Sequence, residues 1–308
     1  MEVPSPFLPN SQIQYAWDST SLSLFKECPR KYYYRMVCGY SPKDDRVHLT
    51  FGQFYHSALE EYDHATIFDG LDHEGGVRAA LRRALTDSYG WRSDNPNKNR
   101  DTLVRSVVWY LDHFRDDPAP VHVLSNGKPA VELSFRMELD LQADAGQPYL
   151  LCGYIDKVVH FNEGTYVLDR KTTKGTLSEY YFEQYSPDNQ FSCYSAVTQA
   201  LWQTRISGVL IDAAQIAVGF TEFRRGMTFR NEYVLEEWLD DTKFWLAQAR
   251  YCAEHNHWPQ NDKSCHKYMG CEFRSICRLA PKARQPFLDT KFTVEHWNPL
   301  RPRGGELA

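Results

Sequence analysis

No stretch of this 308-residue sequence approaches the roughly 18 to 20 uninterrupted apolar residues that a membrane-spanning helix needs. The N-terminus, Met1 to Asn10, lacks the basic start and apolar run of a secretory signal. There is no repeat of fixed period, no Gly/Ser-rich linker and no G-x-x-x-x-G-K-[ST] loop to cradle nucleotide phosphates. Neither charge dominates: 35 Lys and Arg face 40 Asp and Glu, a net charge of -5. That balance argues against coating nucleic acid through bulk charge, while leaving room for a local basic groove. Membrane spans, solenoids and self-contained nucleotide-driven motors are thereby set aside, and a soluble, cytoplasmic protein is expected.

What is present supports a packed core: 42% of residues are hydrophobic and 24% charged. Charge is uneven near the end, where Arg274 to Arg303 holds seven basic and two acidic residues, a candidate surface for an anion. Eight cysteines without a secretory signal point to ligation or ordinary burial rather than to a disulfide framework. Cys38, Cys152, Cys193 and Cys252 are scattered through apolar or helical patterns and read as small buried residues. Cys265, Cys271 and Cys277 recur with five residues between neighbours, and Cys28 sits in the dense run Phe25-Lys26-Glu27-Cys28-Pro29-Arg30.

The periodicity predicts a first helix from near Ser21, with Pro29 kinking or ending it. Further helices are expected over Phe51 to His64, Asp101 to Arg115, Asp188 to Trp202 and Glu236 to His255. Between them the period drops to two. Val131, Leu133, Phe135, Met137 and Leu139 alternate with polar residues, as in a half-buried strand. Strands are also expected over Tyr149 to Phe161, Thr165 to Thr172, Val209 to Phe220 and Met227 to Val234, with Asn162-Glu163-Gly164 as a hairpin turn. The expected fold class is mixed α/β, a central mixed β-sheet flanked by helices.

The sharpest chemistry lies in Gly153-Tyr154-Ile155-Asp156 followed by Val167-Leu168-Asp169-Arg170-Lys171-Thr172. Strand residues two apart share a face, so Asp169 and Lys171 point the same way, and a tight hairpin brings Asp156 beside Asp169. Two carboxylates suit Mg²⁺ or Mn²⁺. The bland reading is a surface hairpin with a cross-strand salt bridge. It loses ground because apolar Val167-Leu168 leads into the charges, and burying unpaired charge is costly.

These residues resemble the PD-(D/E)XK nuclease superfamily, specifically the RecB-like branch that carries an iron–sulfur cluster and is related to CRISPR-adaptation and AddB-type nucleases. The resemblance rests on Cys28-Pro29, Gly52 with His56, Gly153 to Asp156, Asp169 to Thr172, and Gln190-Phe191-Ser192-Cys193-Tyr194, in the order that branch uses. It implies a restriction-endonuclease-like core whose N- and C-terminal segments join at a metal cluster. It also implies one nuclease domain over residues 1–308, with a core over 50–235 and cluster-binding segments over 20–40 and 260–285. His56, Asp156, Asp169 and the main-chain carbonyl of Arg170 would ligate Mg or Mn. Lys171 would orient the attacking water and help deprotonate it, and Gln190 and Tyr194 would contact the lysine or a DNA phosphate. Taken singly, His56 reads as a core histidine and Gln190 with Tyr194 as a helix surface pair. Glu132 and Glu60 read as solvated carboxylates that could assist a second metal.

The same resemblance implies that Cys28, Cys265, Cys271 and Cys277 hold a four-iron four-sulfur (4Fe-4S) cluster. The even late spacing departs from the branch, where two residues more often separate the first two late cysteines. Zinc is the rival occupant, although zinc ribbons bring their cysteines as two close pairs. Aromatics near the cluster (Tyr32, Tyr33, Tyr34, Tyr268, Phe273) could stack on unpaired bases. The expected function is a metal-dependent DNA nuclease, an exonuclease acting on free ends or single strands, in repair, recombination or phage- or CRISPR-related DNA processing. A helicase or recombination protein would be its partner. The alternative is a non-catalytic DNA-binding or structural subunit of a larger helicase-nuclease complex.

Overall fold

The computed structural model describes residues 3–43, 47–267 and 270–301, so Tyr268 and Arg303 lie outside the described residues. In chain order the elements are β1 (Ala16–Trp17), α1 (Ser19–Glu27), α2 (Pro29–Tyr32) running into a π-helical turn (Tyr33–Val37), β2 (Tyr40–Pro42), α3 (Val47–Ile67), α4 (His73–Asp87) and α5 (Arg100–His113). Then come β3 (Val131–Asp144), β4 (Gln147–Phe161), β5 (Gly164–Thr173), α6 (Glu179–Glu183), α7 (Asn189–Trp202), β6 (Gly208–Ile216) and β7 (Thr221–Phe229). The chain continues through α8 (Glu232–Glu254), α9 (Arg274–Cys277), α10 (Arg284–Lys291) and β8 (Phe292–Val294). The architecture is mixed α/β. It divides into two compact units, one of Met1–Asp45, Ser134–Gly153 and Tyr233–Ala308, the other of Arg46–Leu133 and Tyr154–Glu232.

The second unit is built on a mixed sheet. The end of β4 pairs antiparallel with β5, β5 pairs parallel with β6, and β6 pairs antiparallel with β7. Every residue of β6 is buried, as expected of a strand covered on both faces. Helices α3, α4 and α5 pack with Ala214 and Ile216 of β6 in one apolar core that includes Phe51, Tyr55, Leu59 and Leu103. Helix α4 was not anticipated. Its Gly75-Gly76 pair breaks the helical pattern, yet a Cβ on Gly76 would meet Thr66 Cγ2 at 2.5 Å and Tyr62 Cδ2 at 2.8 Å, so glycine permits α3 and α4 to approach closely. The strands expected over Val209 to Phe220 and Met227 to Val234 end and begin elsewhere. The chain turns through Ala217 to Phe220, and Val234 belongs to α8.

In the first unit β1 pairs parallel with the start of β4, and β2 pairs antiparallel with β8. The cap of α1 is Asp18 rather than Ser21. Asp18 accepts from the Ser21 N–H at 2.8 Å, and the Ser21 hydroxyl accepts from the Asp18 N–H at 3.1 Å, a reciprocal box worth about 1 kcal/mol. Helix α1 stops at Cys28, which is extended, and Pro29 opens α2, where its missing N–H costs nothing. Trp17 and Tyr32 stack with ring centroids 5.2 Å apart, Phe25 meets Tyr32 edge-on at 5.4 Å, and Trp258 lies 5.5 Å from Tyr32. Gly153 also stands at a close approach, for a Cβ there would fall 2.6 Å from Phe135 Cζ.

Candidate active site

The β4–β5 ladder runs through Lys157↔Leu168, and the next positions along the two strands are Asp156 and Asp169. Pleating then sorts the charges. Asp156 and Asp169 fall on one side, and Lys157 and Arg170 on the other.

On the acidic side, Asp156 Oδ2 accepts from the Arg170 main-chain N–H at 3.0 Å and lies 3.6 Å from His56 Nδ1. Lys171 Nζ is 2.5 Å from Asp169 Oδ2 and donates to Gln190 Oε1 at 3.0 Å. Gln190 Nε2 in turn donates to Tyr194 Oη at 2.8 Å, one helical turn along α7. Helix α7 is held there by Asp188, whose carboxylate accepts from the Phe191 N–H at 3.0 Å. His56, Asp156, Asp169, Lys171, Gln190 and Tyr194 are thus brought together from α3, β4, β5 and α7.

Their environments differ. Burial pushes Asp156 up, but His56 and then Arg170 outweigh it and hold the carboxyl well below its ordinary range. Burial raises Asp169, Lys171 only partly offsets this, and the neighbouring Asp156 charge adds to the rise. Burial alone would lower Lys171, yet the Asp169 carboxylate reverses that and keeps the amine protonated. The Tyr194 phenol is raised by burial and by Asp169.

The opposite side carries residues that the sequence did not single out. Asp63, 4% exposed, takes Arg170 Nη2 at 2.7 Å on one oxygen and Lys157 Nζ at 3.1 Å on the other. Burial raises Asp63, but Arg170 and then Lys157 bring it below its usual value. A signal was available: Asp63 follows His56 by seven residues, two turns of one helix, and the two cations directly follow the two active-site aspartates. Arg170, expected to contribute its carbonyl, gives its N–H to Asp156 and its guanidinium to Asp63.

Glu132 is half-buried at the start of β3 with φ 51°. Burial first and Glu60 second push its carboxyl up to about 7. The segment after β5 brings Tyr181 within electrostatic reach of Lys171 and Asp169, and the Tyr185 hydroxyl donates to the Tyr181 oxygen at 3.1 Å.

Two carboxylates and an imidazole form a hard donor set. The buried Asp169 Oδ2 makes no hydrogen bond among the described residues beyond its ion pair with Lys171, so it keeps lone pairs for a cation. Among the described residues no three His, Cys, Asp or Glu side chains are gathered in metal-holding geometry, here or at the cysteines. The donor chemistry fits a divalent cation, and closing around one would require Asp169 to share its oxygen with Lys171.

The pattern that defines the PD-(D/E)XK nuclease superfamily matches residues 17–278, most of the chain. The chain belongs to the PD-(D/E)XK nuclease superfamily. A solved exonuclease candidate from Eubacterium rectale is similar at 11% identity and a TM-score of 0.49, covering 88% of this chain and 96% of its own. The protein SSO0001 is similar at 9% identity and a TM-score of 0.26, covering 73% of this chain and 85% of its own. No curated protein matches. As a PD-(D/E)XK nuclease the chain is a hydrolase of phosphodiester bonds, and no helix among its described residues is long and apolar enough to cross a membrane.

The cysteines of this PD-(D/E)XK chain are all free. Cys28 Sγ accepts from the Asn261 N–H at 3.3 Å, Cys265 Sγ is 3.8 Å from the Asn261 carbonyl, and the Cys271 N–H donates to the Cys265 carbonyl at 3.1 Å. Burial raises the thiols of Cys271 and Cys277, and both feel Cys28. Arg30 and Arg284 pull Cys277 back down, as cations beside a thiol favour the thiolate. Of the other four, Cys152, Cys193 and Cys252 are buried and Cys38 is half-buried.

Proposed function

We propose that the chain is a DNA exonuclease acting on single strands or free ends, with Mg²⁺ or Mn²⁺ held by His56, Asp156, Asp169 and the Arg170 carbonyl. The observation that carries this reading is the geometry: Lys171 bridges Asp169 and Gln190 on the side of the hairpin that also carries Asp156 and His56.

When bound, the divalent cation would polarise the phosphoryl oxygen and make a water molecule more acidic. Lys171 uses two of its three N–H groups on Asp169 and Gln190, which leaves the third to hold the attacking water or a phosphate oxygen. As an ammonium it orients that water and offsets the growing charge, and the water's proton passes to solvent. The water oxygen forms its bond to phosphorus as the bond to the sugar oxygen breaks, and the sugar leaves as a hydroxyl after taking up a proton. Gln190, fixed by Tyr194, sets the direction of the amine.

Cys28, Cys265, Cys271 and Cys277 are the proposed ligands of the iron–sulfur cluster, supported by their free thiols within one unit and by the electrostatic reach among Cys28, Cys271 and Cys277. The cluster would act as a cross-link, since hydrolysis needs no electron transfer. With no nucleotide-phosphate loop in the sequence, a helicase or recombination partner would supply any unwinding, in repair, recombination or phage- or CRISPR-related processing.

End-labelled single- and double-stranded DNA, incubated with Mg²⁺, Mn²⁺ or EDTA, tests the proposal on one gel. Cleavage from ends that needs the cation is expected. DNA retained but uncut under every condition would favour the non-catalytic subunit instead.

A further inference from the structure

Lys98 lies two residues before α5 and is outside the catalytic group. Its side chain is 1% exposed, and its Nζ has neither hydrogen bond nor ion pair among the described residues. The amine instead sits 4.2 Å from the centroid of the Phe51 ring. Burial holds it down to about 7. An ammonium without a carboxylate partner is among the costliest groups to enclose, so the position suits a ligand better than a core.

Among the described residues, the charges that act on the neighbouring His48 are basic. Phe51 is the fifth residue of α3 and His48 the second, and the first turn of this 21-residue helix contains no acidic residue. Lys98 and Lys174 both act on the His48 ring. Lys174 follows Thr173, the last residue of β5, three positions after Lys171. Gly52, beside Phe51, faces the same strand end, since a Cβ there would lie 3.8 Å from Thr172 Oγ1. The first turn of a helix adds N–H groups without intrahelical partners and the positive end of its dipole.

We propose that Lys98, His48 and the first turn of α3, with Lys174 at the rim, form a phosphate subsite for the nucleic-acid substrate. This rests on the nuclease reading and adds to it. His48 and His56 are eight residues apart, roughly 12 Å along α3, so the phosphate held here belongs to the same strand a short way from the one being cleaved. It is either a backbone phosphate or the terminal phosphate of the strand. Binding exchanges the contact with Phe51 for an ion pair, through rotation of the flexible lysine stem. Capture of a strand end would fix how far from that end the cut falls.

The test uses Lys98→Met and Lys98→Arg in the full chain, without divalent cations. Anisotropy reports binding of single-stranded DNA oligonucleotides carrying a 5′-phosphate, a 3′-phosphate or hydroxyls at both ends, across a salt series. Thermal melting is followed in parallel. Lys98→Met should bind roughly tenfold more weakly, with a salt slope smaller by about 1, and yet melt higher than the wild type because a buried amine is gone. Lys98→Arg should restore binding. A loss shared by all three oligonucleotides identifies a backbone phosphate, and a loss confined to one phosphorylated end identifies a terminal one. Unchanged affinity in Lys98→Met overturns the proposal, as does weakened binding with a lowered melting temperature, which marks a structural lysine. If the wild type binds no oligonucleotide, the nuclease reading itself falls.

Discussion

Asp156 and Asp169 stand at adjoining positions of one ladder yet ionise differently, because His56 and Arg170 face the first and the second is buried against Lys171. Lys171 is the most telling side chain to change. Lys171→Gln keeps the reach to Gln190 but removes the cation, so cleavage should fall by roughly 10²- to 10⁴-fold in protein that still unfolds cooperatively. Wild-type rates in a gel assay would remove the lysine from the mechanism. Glu132 offers a pH test. Its folded value near 7 lies above the ordinary 4.5, so its contribution to stability is present below about 4.5 and is lost as pH rises through 7. Glu132→Gln should therefore stabilise the protein more at pH 8 than at pH 5. Equal shifts in melting temperature at the two pH values would contradict the burial argument.

The pairing of α3 with the β4–β5 hairpin depends on Asp63, which holds Lys157 and Arg170 in the interior. Removing one member of a buried ionic set leaves the others uncompensated, so Asp63→Leu should cost about 3–5 kcal/mol in denaturant unfolding. Adding Lys157→Met and Arg170→Met should recover much of that loss. If the triple variant is less stable than the single, the ionic set is worth more than an apolar replacement. The acidic side of this hairpin was legible in the sequence because the D-x-K spacing and the order of motifs are local. Asp63 was not, since a lone aspartate on a helix declares its partners only when the sheet is in place. The β3 alternation shows the same limit: it holds from Phe135 to Ala143, but the left-handed backbone at Glu132 shifts the phase, and Leu133 and Ser134 depart from it. Helix α4 escaped notice because a glycine that enables helix packing looks, in sequence, like a glycine that breaks a helix.

At the scale of the molecule, the proposed cluster is checked by colour. Protein purified without oxygen should be brown, with broad absorption near about 400 nm, and should keep that colour in Cys252→Ser while losing it in Cys28→Ala. Colourless protein with one equivalent of zinc would assign the thiols to the rival metal. The cysteine set was visible in the sequence as spacing alone. Which residues support it was not, because Asn261 reaches Cys28 across 233 positions of chain.

That separation also sets a clock for biosynthesis. The first unit is assembled from three stretches, and the aromatic group of Trp17, Phe25 and Tyr32 is completed by Trp245 and Trp258. At about 5–20 residues per second, a ribosome takes on the order of ten to fifty seconds to deliver those partners. Throughout that interval the early aromatics are made but unsheltered, whereas the second unit has all its residues once Glu232 has emerged. A nascent chain arrested once Glu232 has cleared the exit tunnel should therefore resist protease over 47–133 and 154–232 while remaining cleavable, and attractive to holdase chaperones, over its first forty residues.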